Sequence, residues 1–353
     1  MMDVLRDIRR EDQETLKVWM EQKGLPAFRA RQVYHWIWVK GACSFDEMSN
    51  LSLSLRETLK SAFIFRPVVV AVSQRGKDNT IKVAFRLYDG NLVEGVLIPS
   101  RDRITACVSS QVGCSLDCKF CATGYMKRQR NLDASEIVDQ VRLLDMMAIE
   151  AYGRGLSNIV YMGMGEPLLN YQEVVRSIRI ITSGEGLGMS PQRITLSTAG
   201  IAKMIIRLAE DDLGIHLALS LHAATDEKRS ALMPINDSNN LDMLADAMRY
   251  FYDRTGNRPT LEYAVMHAVN DQIIEVNELA NFARRFPCKI NLIEYNPIAM
   301  AGFTPTSEAG IDYFAQSLSK LGLIVNIRRS RGKDIDAACG QLANKALNQH
   351  VEF

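Results

Sequence analysis

The run Cys107-Val108-Ser109-Ser110-Gln111-Val112-Gly113-Cys114-Ser115-Leu116-Asp117-Cys118-Lys119-Phe120-Cys121 places Cys114, Cys118 and Cys121 in the spacing C-x3-C-x2-C. Three thiolates this close in sequence can wrap one soft metal centre. A closed structural zinc site takes four protein ligands, and a four-iron cluster held by protein alone takes four cysteines. Three ligands on such a cluster leave one iron open to another molecule. The alternative is a zinc knuckle in which Cys107 is the fourth ligand.

Downstream of this run the chain alternates between short apolar strands and amphipathic helices. The strand candidates are Ile104–Ser109, Asn158–Met162, Arg193–Ser197, Ile215–Leu221, Thr260–Val265, Lys289–Glu294 and Leu323–Arg328. The first helix starts at Asp133 with Glu136 three residues on, a capping box. Its apolar row is Ile137, Val141 and Leu144. Such alternation means parallel strands with crossover helices. The fold class is α/β: six or seven such units over 104–330 suit a full or partial (β/α) barrel, with a doubly wound open sheet as the alternative. In a parallel barrel the loops after the strands face the ligand. The distinctive polar residues fall there: the three cysteines, Gly163-Met164-Gly165-Glu166-Pro167, Ser197-Thr198-Ala199-Gly200, Ser220-Leu221-His222 and Tyr295-Asn296-Pro297.

Upstream, residues 66–103 switch to period two and form a β extension. Asp89-Gly90 signals a hairpin. On the strand Asn91 to Ile98, Leu92, Glu94, Val96 and Ile98 share one face. Glu94 is thus a carboxylate in an apolar row, either a paired charge or a general base. Residues 1–65 read as a small helical accessory domain: Asp12–Met20, Ala27–Lys40 stopped by Gly41, and Ser52 to about Phe63. Residues 331–353 form a tail with its own cysteine, Cys339.

The 353 residues carry a net charge of +1, with 47% hydrophobic and 24% charged side chains, ordinary values for a soluble globular chain. The balance argues against a protein that coats nucleic acid everywhere, but not against a local basic patch. No apolar run approaches a membrane span, and the start, Met1 to Arg6, lacks the pattern of a signal peptide. Seven cysteines, clustered rather than spread as a framework, point to a reducing compartment and metal or redox chemistry. The expected location is the cytoplasm.

The cysteine spacing, with Phe120 before the last ligand, resembles the radical S-adenosylmethionine (SAM) superfamily, whose open iron is chelated by SAM. Over nearly the whole length the chain resembles the RlmN/Cfr family of radical SAM RNA methyltransferases. The resemblance rests on Asn91–Pro99, Cys107–Gly124, Gly163–Asn170, Arg193–Gly200, Ser220–His222, Met233-Pro234-Ile235-Asn236 and Arg331–Asn344. The last contains the specific string Gly332-Lys333-Asp334-Ile335-Asp336-Ala337-Ala338-Cys339-Gly340-Gln341-Leu342. The resemblance implies a partial (β/α)6 barrel with an N-terminal helical accessory domain, and a 4Fe-4S cluster on Cys114, Cys118 and Cys121. It implies SAM (S-adenosyl-L-methionine) contacts at Gly165, Glu166, Ser197, Ser220, Leu221, His222 and Asn296, and a proton-acceptor role for Glu94. It implies methylation of an adenine ring carbon in 23S rRNA and, for the RlmN branch, in tRNA. An electron donor such as flavodoxin or ferredoxin would supply the cluster, and the chain would act as a monomer. One stretch, Met266-His267-Ala268-Val269-Asn270-Asp271, departs slightly: a glycine commonly stands where Ala268 does.

An adenine C2 or C8 carbon is a poor nucleophile, so direct attack on a sulfonium methyl fails and the cofactor must carry the hard step. A thiolate can take a methyl by displacement, and Cys339, the lone cysteine of the tail motif, is the candidate carrier. A second thiol is needed to release the base by forming a disulfide, and Cys107 is the candidate. Pro167-Leu168-Leu169-Asn170 looks more like the C2 group than the Cfr-type C8 group. The rival classes are a non-catalytic iron–sulfur or zinc RNA-binding protein and a radical SAM enzyme acting on a small molecule. Lys127, Arg128 and Arg130, with Arg328, Arg329, Arg331 and Lys333, are either phosphate contacts at the rim or a solvated face.

Overall fold

The computed structural model describes residues 5–343. Asn344, which ends the tail motif, lies outside the described residues. The principal strands are β1 (Val69–Arg75), β2 (Ile81–Arg86), β3 (Leu92–Pro99), β4 (Ile104–Cys107), β5 (Asn158–Tyr161), β6 (Ile194–Thr198), β7 (His216–Ser220), β8 (Thr260–Val265), β9 (Lys289–Glu294) and β10 (Val325–Arg328). They form a single sheet in which spatial order follows chain order. From β4 to β10 all pairings are parallel, in registers such as Thr105↔Asn158, Leu196↔Leu217 and Ile293↔Arg328. Parallel neighbours require crossovers. The helices that supply them include α4 (Ala134–Tyr152), α5 (Tyr171–Thr182), α6 (Ala202–Asp211), α8 (Leu241–Thr255), α9 (Ile273–Ala283) and α10 (Glu308–Lys320); α7 (Asp226–Leu232) is a short extra turn after β7. Because β1 and β10 are the sheet's two ends, the barrel is open, as a partial barrel should be.

The period-two segment is continuous with the barrel sheet. β1, β2 and β3 are antiparallel and join it through β3 against β4, where Val96 faces Cys107. The capping box read at Asp133 and Glu136 starts α4, and Gly153 at φ 70° ends it. The helices α1 (Gln13–Gln22), α2 (Phe28–Trp38) and α3 (Leu53–Ala62) make the N-terminal unit. It is fastened to α4 by buried charge: Arg9 bonds Asp139 at 2.6 Å and Asp7 at 2.8 Å, while Arg142 donates to the Ile37 and Trp38 carbonyls. Apolar side chains from the N-terminal unit through β10 make one continuous core, and a satellite cluster at Leu116, Ala223, Leu232, Met233 and Tyr295 packs around Cys114, Cys118 and Phe120.

Candidate active site

The loops after β4–β7 and β9 converge, as barrel loops do. Cys114, Cys118, Cys121, Gly165, Glu166, Ser197, Ser220, His222 and Asn296 all line one cavity. A second cavity holds Cys107, and the two share Cys121, Met162, Arg328 and Cys339 on their walls. Leu221 is fully buried and does not reach the cavity; its amide donates to the Glu262 carbonyl at 2.9 Å.

Glu166 is 3% exposed, and its carboxylate accepts from the amides of Ala199 at 2.7 Å and Leu168 at 3.0 Å. Burial pushes its pKa up, and those amides oppose the shift. It therefore ties the rim after β5 to the rim after β6. Gly163 and Gly165 read in sequence as places where backbone meets a ligand. In the fold they serve close loop packing: a Cβ at Gly165, whose φ is +95°, would lie 2.5 Å from Gln111 Cβ, and one at Gly163 2.6 Å from Ser109 Oγ.

His222 sits at φ 56°. Its Nδ1 accepts from the Ala264 amide at 3.0 Å, which leaves the proton of a neutral ring on Nε2. Burial, then the positive Arg229, pushes its pKa down to about 3. Its ring meets Phe120 edge-on at 4.5 Å between centroids. Asn270 fixes this turn by donating to the His222 and Ala264 carbonyls at 2.8 Å each. Ala268, where the resemblance predicts a glycine, has φ 57°, the left-handed conformation a glycine adopts at no steric cost.

The tail is pinned from three sides. The Ala122 amide bonds the Gly340 carbonyl at 2.7 Å, and Thr123 Oγ1 the Leu342 carbonyl at 2.7 Å. Gln341 Nε2 donates to the Pro297 carbonyl at 3.2 Å, and Asn296 Nδ2 to the Cys339 carbonyl at 3.4 Å. From the β extension, Asp78 accepts from the Gly332 amide, and Glu94 Oε2 from the Ala343 amide at 2.9 Å. Glu94 is fully buried and paired with Lys82 at 3.5 Å. It faces the tail, whereas Val96 and Ile98 on the same strand face reach the Cys107 cavity.

Among the rim cations the outcome is mixed. Arg130 is committed to Glu136 and Asp89, and Arg329 and Lys333 to Glu294. Lys127 and Arg128 stay exposed. Arg328 lines both cavities; nearby Cys339, against the effect of burial, holds its guanidinium more firmly charged than usual. Sequence reasoning missed Arg229, Asn270, Thr123, Gln341 and Glu262. A single position in a polar or charged stretch gives no sign of which residue turns inward.

The three cysteines fit a cluster. Burial pushes the Cys118 thiol up, with Cys121 and Cys114 adding to the shift; burial likewise pushes Cys114 up to about 11. These are soft donors close enough to act on one another, neutral until a cation draws off their protons. No three His, Cys, Asp or Glu among the described residues are gathered tightly enough for a single metal ion. Ligands on different irons of a cluster stand wider apart than the roughly 2.3 Å bonds around one zinc permit. Buried oxygens without a hydrogen-bond partner, Tyr295 OH and Glu262 Oε2, belong to residues of the same cavity wall.

A partial barrel with three cysteines on the loop after its first parallel strand is the architecture of the radical SAM superfamily, whose model matches residues 108–280. Residues 7–64 match the ribosomal RNA large subunit methyltransferase N-terminal domain. A relative from Cytophaga hutchinsonii, named "Probable dual-specificity RNA methyltransferase RlmN", is 55% identical over 96% of this chain and 93% of its own length. One of the same name from Staphylococcus aureus is 41% identical over 96% and 92%. The crystal structure of a radical SAM methyltransferase from Sphaerobacter thermophilus superposes with a TM-score of 0.89 at 41% identity, covering 96% of this chain and 99% of that one. The chain belongs to the RlmN family of radical SAM methyltransferases. Its cofactors are those of that superfamily, a 4Fe-4S cluster and SAM.

Proposed function

We propose that this enzyme methylates C2 of an adenine in 23S rRNA and in tRNA, with Cys339 carrying the new carbon and Cys107 releasing the product. The observation that carries this reading is the placement of Cys107 and Cys339 on one cavity wall that opens into the cavity of Cys114, Cys118 and Cys121.

Cys114, Cys118 and Cys121 would hold the cluster, and Glu166, Ser197, Ser220, His222 and Asn296, with the backbone at Gly165, would seat SAM. When bound, these groups supply a transferable methyl and, on reduction, a 5′-deoxyadenosyl radical. Cys339, the exposed thiol of the tail, would accept the methyl as a thioether. Arg328, a guanidinium held firmly charged, lines both cavities beside it. The S-methyl group of Cys339 would give up one hydrogen atom to the 5′-deoxyadenosyl radical, and its carbon would then bond to the ring carbon, leaving a covalent bridge between Cys339 and the RNA; the odd electron of the adduct would return to the oxidised cluster. Cys107, as a thiolate, would attack the Cys339 sulfur, form a disulfide and expel the base-bound carbon with the S–C bonding pair, which a proton converts to the methyl group. Burial, then Cys339, pushes the Cys107 thiol up to about 12, so it attacks only once a base has taken its proton. Glu94 is the proposed acceptor for the proton lost from the ring carbon. To reach it, the tail must release the Ala343 bond. A flavodoxin or ferredoxin would feed the cluster, and the chain would act as a monomer.

Mass spectrometry of digested RNA after reaction with the reconstituted enzyme tests this. The native chain yields 2-methyladenosine, Cys339→Ala yields none, and Cys107→Ala accumulates a protein–RNA adduct. 8-Methyladenosine would move the assignment to the C8 branch, and full activity of Cys339→Ala would end it.

A further inference from the structure

Arg229 lies in the middle of the short helix α7 and is 0% exposed. Its guanidinium donates to the carbonyls of Ala199 at 2.5 Å, Ser220 at 3.3 Å and Leu221 at 3.3 Å, and to Asn236 Oδ1 at 2.8 Å. All of these are neutral oxygens. A fully buried cation hydrogen-bonded only to neutral groups is costly unless a negative charge stands close by. The acidic groups within its reach are Asp226, on the exposed start of the same helix, and Cys118, a thiol that turns negative when it ligates a cation. Burial pulls the guanidinium down to about 10, still well above neutrality, so Arg229 remains charged there. The C-terminal end of α7 touches the cysteine loop directly, through the Lys119 amide on the Leu232 carbonyl at 2.9 Å. Around this junction are Leu116, Leu232 and Met233, apolar side chains that leave little water to screen a charge.

We propose that Arg229 is a positioning residue of the reaction, the built-in counter-charge of the Cys114–Cys118–Cys121 pocket, which raises the potential at which a cluster held there accepts its electron. A reduced cluster carries one more negative charge than an oxidised one, so a fixed cation favours the reduced form. Net charge, hydrogen bonding and exposure are what set such potentials. The same guanidinium holds the rims after β6 and β7, so one side chain links the electronic state of the pocket to the loops expected to seat SAM. The inference rests on the reading of the three cysteines as cluster ligands.

The test uses the full chain reconstituted anaerobically with iron and sulfide, without SAM. Iron and sulfide analysis reports whether the pocket loads; a mediated redox titration followed by electron paramagnetic resonance reports the midpoint. Arg229→Met is expected to load but to show a tenfold smaller reduced-to-oxidised ratio at a given potential, a midpoint about 59 mV lower for one electron. Arg229→Lys keeps the charge and holds the native midpoint. Asp226→Asn preserves the oxygen that accepts from Asn236 and the Leu241 amide. It removes an opposing charge, and should raise the ratio by roughly twofold, since an exposed carboxylate is largely screened. A purely architectural Arg229 would leave the midpoint of every loaded variant unchanged, and that result overturns the proposal. So does an Arg229→Lys midpoint as low as that of Arg229→Met. Should Arg229→Met lose its iron, Asp226→Asn decides: an upward shift supports the counter-charge, an unmoved midpoint overturns it. Failure of the native chain to load would instead sink the ligand reading itself.

Discussion

The rim after β4–β7 and the tail that carries Cys339 bound the same cavities and are built in opposite ways. The rim is held by buried side chains that bond backbone groups on neighbouring loops: Glu166 to Ala199, Arg229 to Ser220, Asn270 to His222. Each is enclosed by apolar packing and fixed before any ligand arrives. The tail segment 331–343 contains one short turn, Lys333–Ile335, as its regular structure. It is held by hydrogen bonds to the cysteine loop, the β extension and the rim after β9, and by the small buried apolar side chains of Ala337, Ala338 and Leu342. Segments with few buried apolar contacts open at lower free energy than the core they lie on. Such a contrast suits the role proposed for Cys339, a thiol that would face SAM first and the base afterwards.

Several measurements would break or sharpen that contrast. The largest effect is expected in the rim. Gly165→Ala combines an unfavourable φ with a Cβ against Gln111 and should cost about 3 kcal/mol, read as a lower urea midpoint at unchanged slope. A silent substitution would mean the rim is looser than its packing indicates. Next, alkylation of the reconstituted enzyme followed by peptide mass spectrometry should label Cys107 on the order of a hundredfold more slowly than Cys339, since Cys107 is buried and its thiol pushed up to about 12. Equal rates would show that the tail leaves the cavity open. Thr123→Val removes the bond to the Leu342 carbonyl, worth about 1 kcal/mol. Hydrogen exchange should quicken at the Ala343 amide and stay unchanged at the Ala199 amide. The smallest effect concerns pH. Burial would raise the Glu294 pKa, but bonds from Lys333, the Ser330 amide and Arg329 outweigh it and hold the carboxylate below its usual range. A depressed folded pKa stabilises above the ordinary glutamate range and is lost as pH falls through the folded value. Tail exchange should therefore quicken on acidification before rim exchange does; the reverse order would remove Glu294 as an anchor.

The strands from Ile104 to Arg328 were legible because each is a short apolar run bounded by polar loops, and the three cysteines because thiol spacing is itself a chemical statement. Arg229 was not legible. It ends the run Asp226-Glu227-Lys228-Arg229, which reads as a solvated face, and only the packing of α7 under the rim turns the last of these inward. Glu94 was read correctly as a carboxylate in an apolar row, but of its two partners, Lys82 and Ala343, the second lies 249 residues away, and strand periodicity carries no information at that range. The glycines at 163 and 165 were recognised as close-approach positions; what approaches them is Ser109 and Gln111 on the preceding loop, which pattern alone does not distinguish from a ligand.

The sequential strand order has a consequence for biosynthesis. Domains form from the N-terminus as translation proceeds, and here each new strand meets as its neighbour the one made just before it. The exception is the segment 331–343, which must reach back to Asp78 and Glu94 in the β extension, 254 and 249 residues earlier in the chain. In order of synthesis, the loops that carry Cys114, Cys118, Cys121 and the SAM-side rim thus precede the segment that carries Cys339.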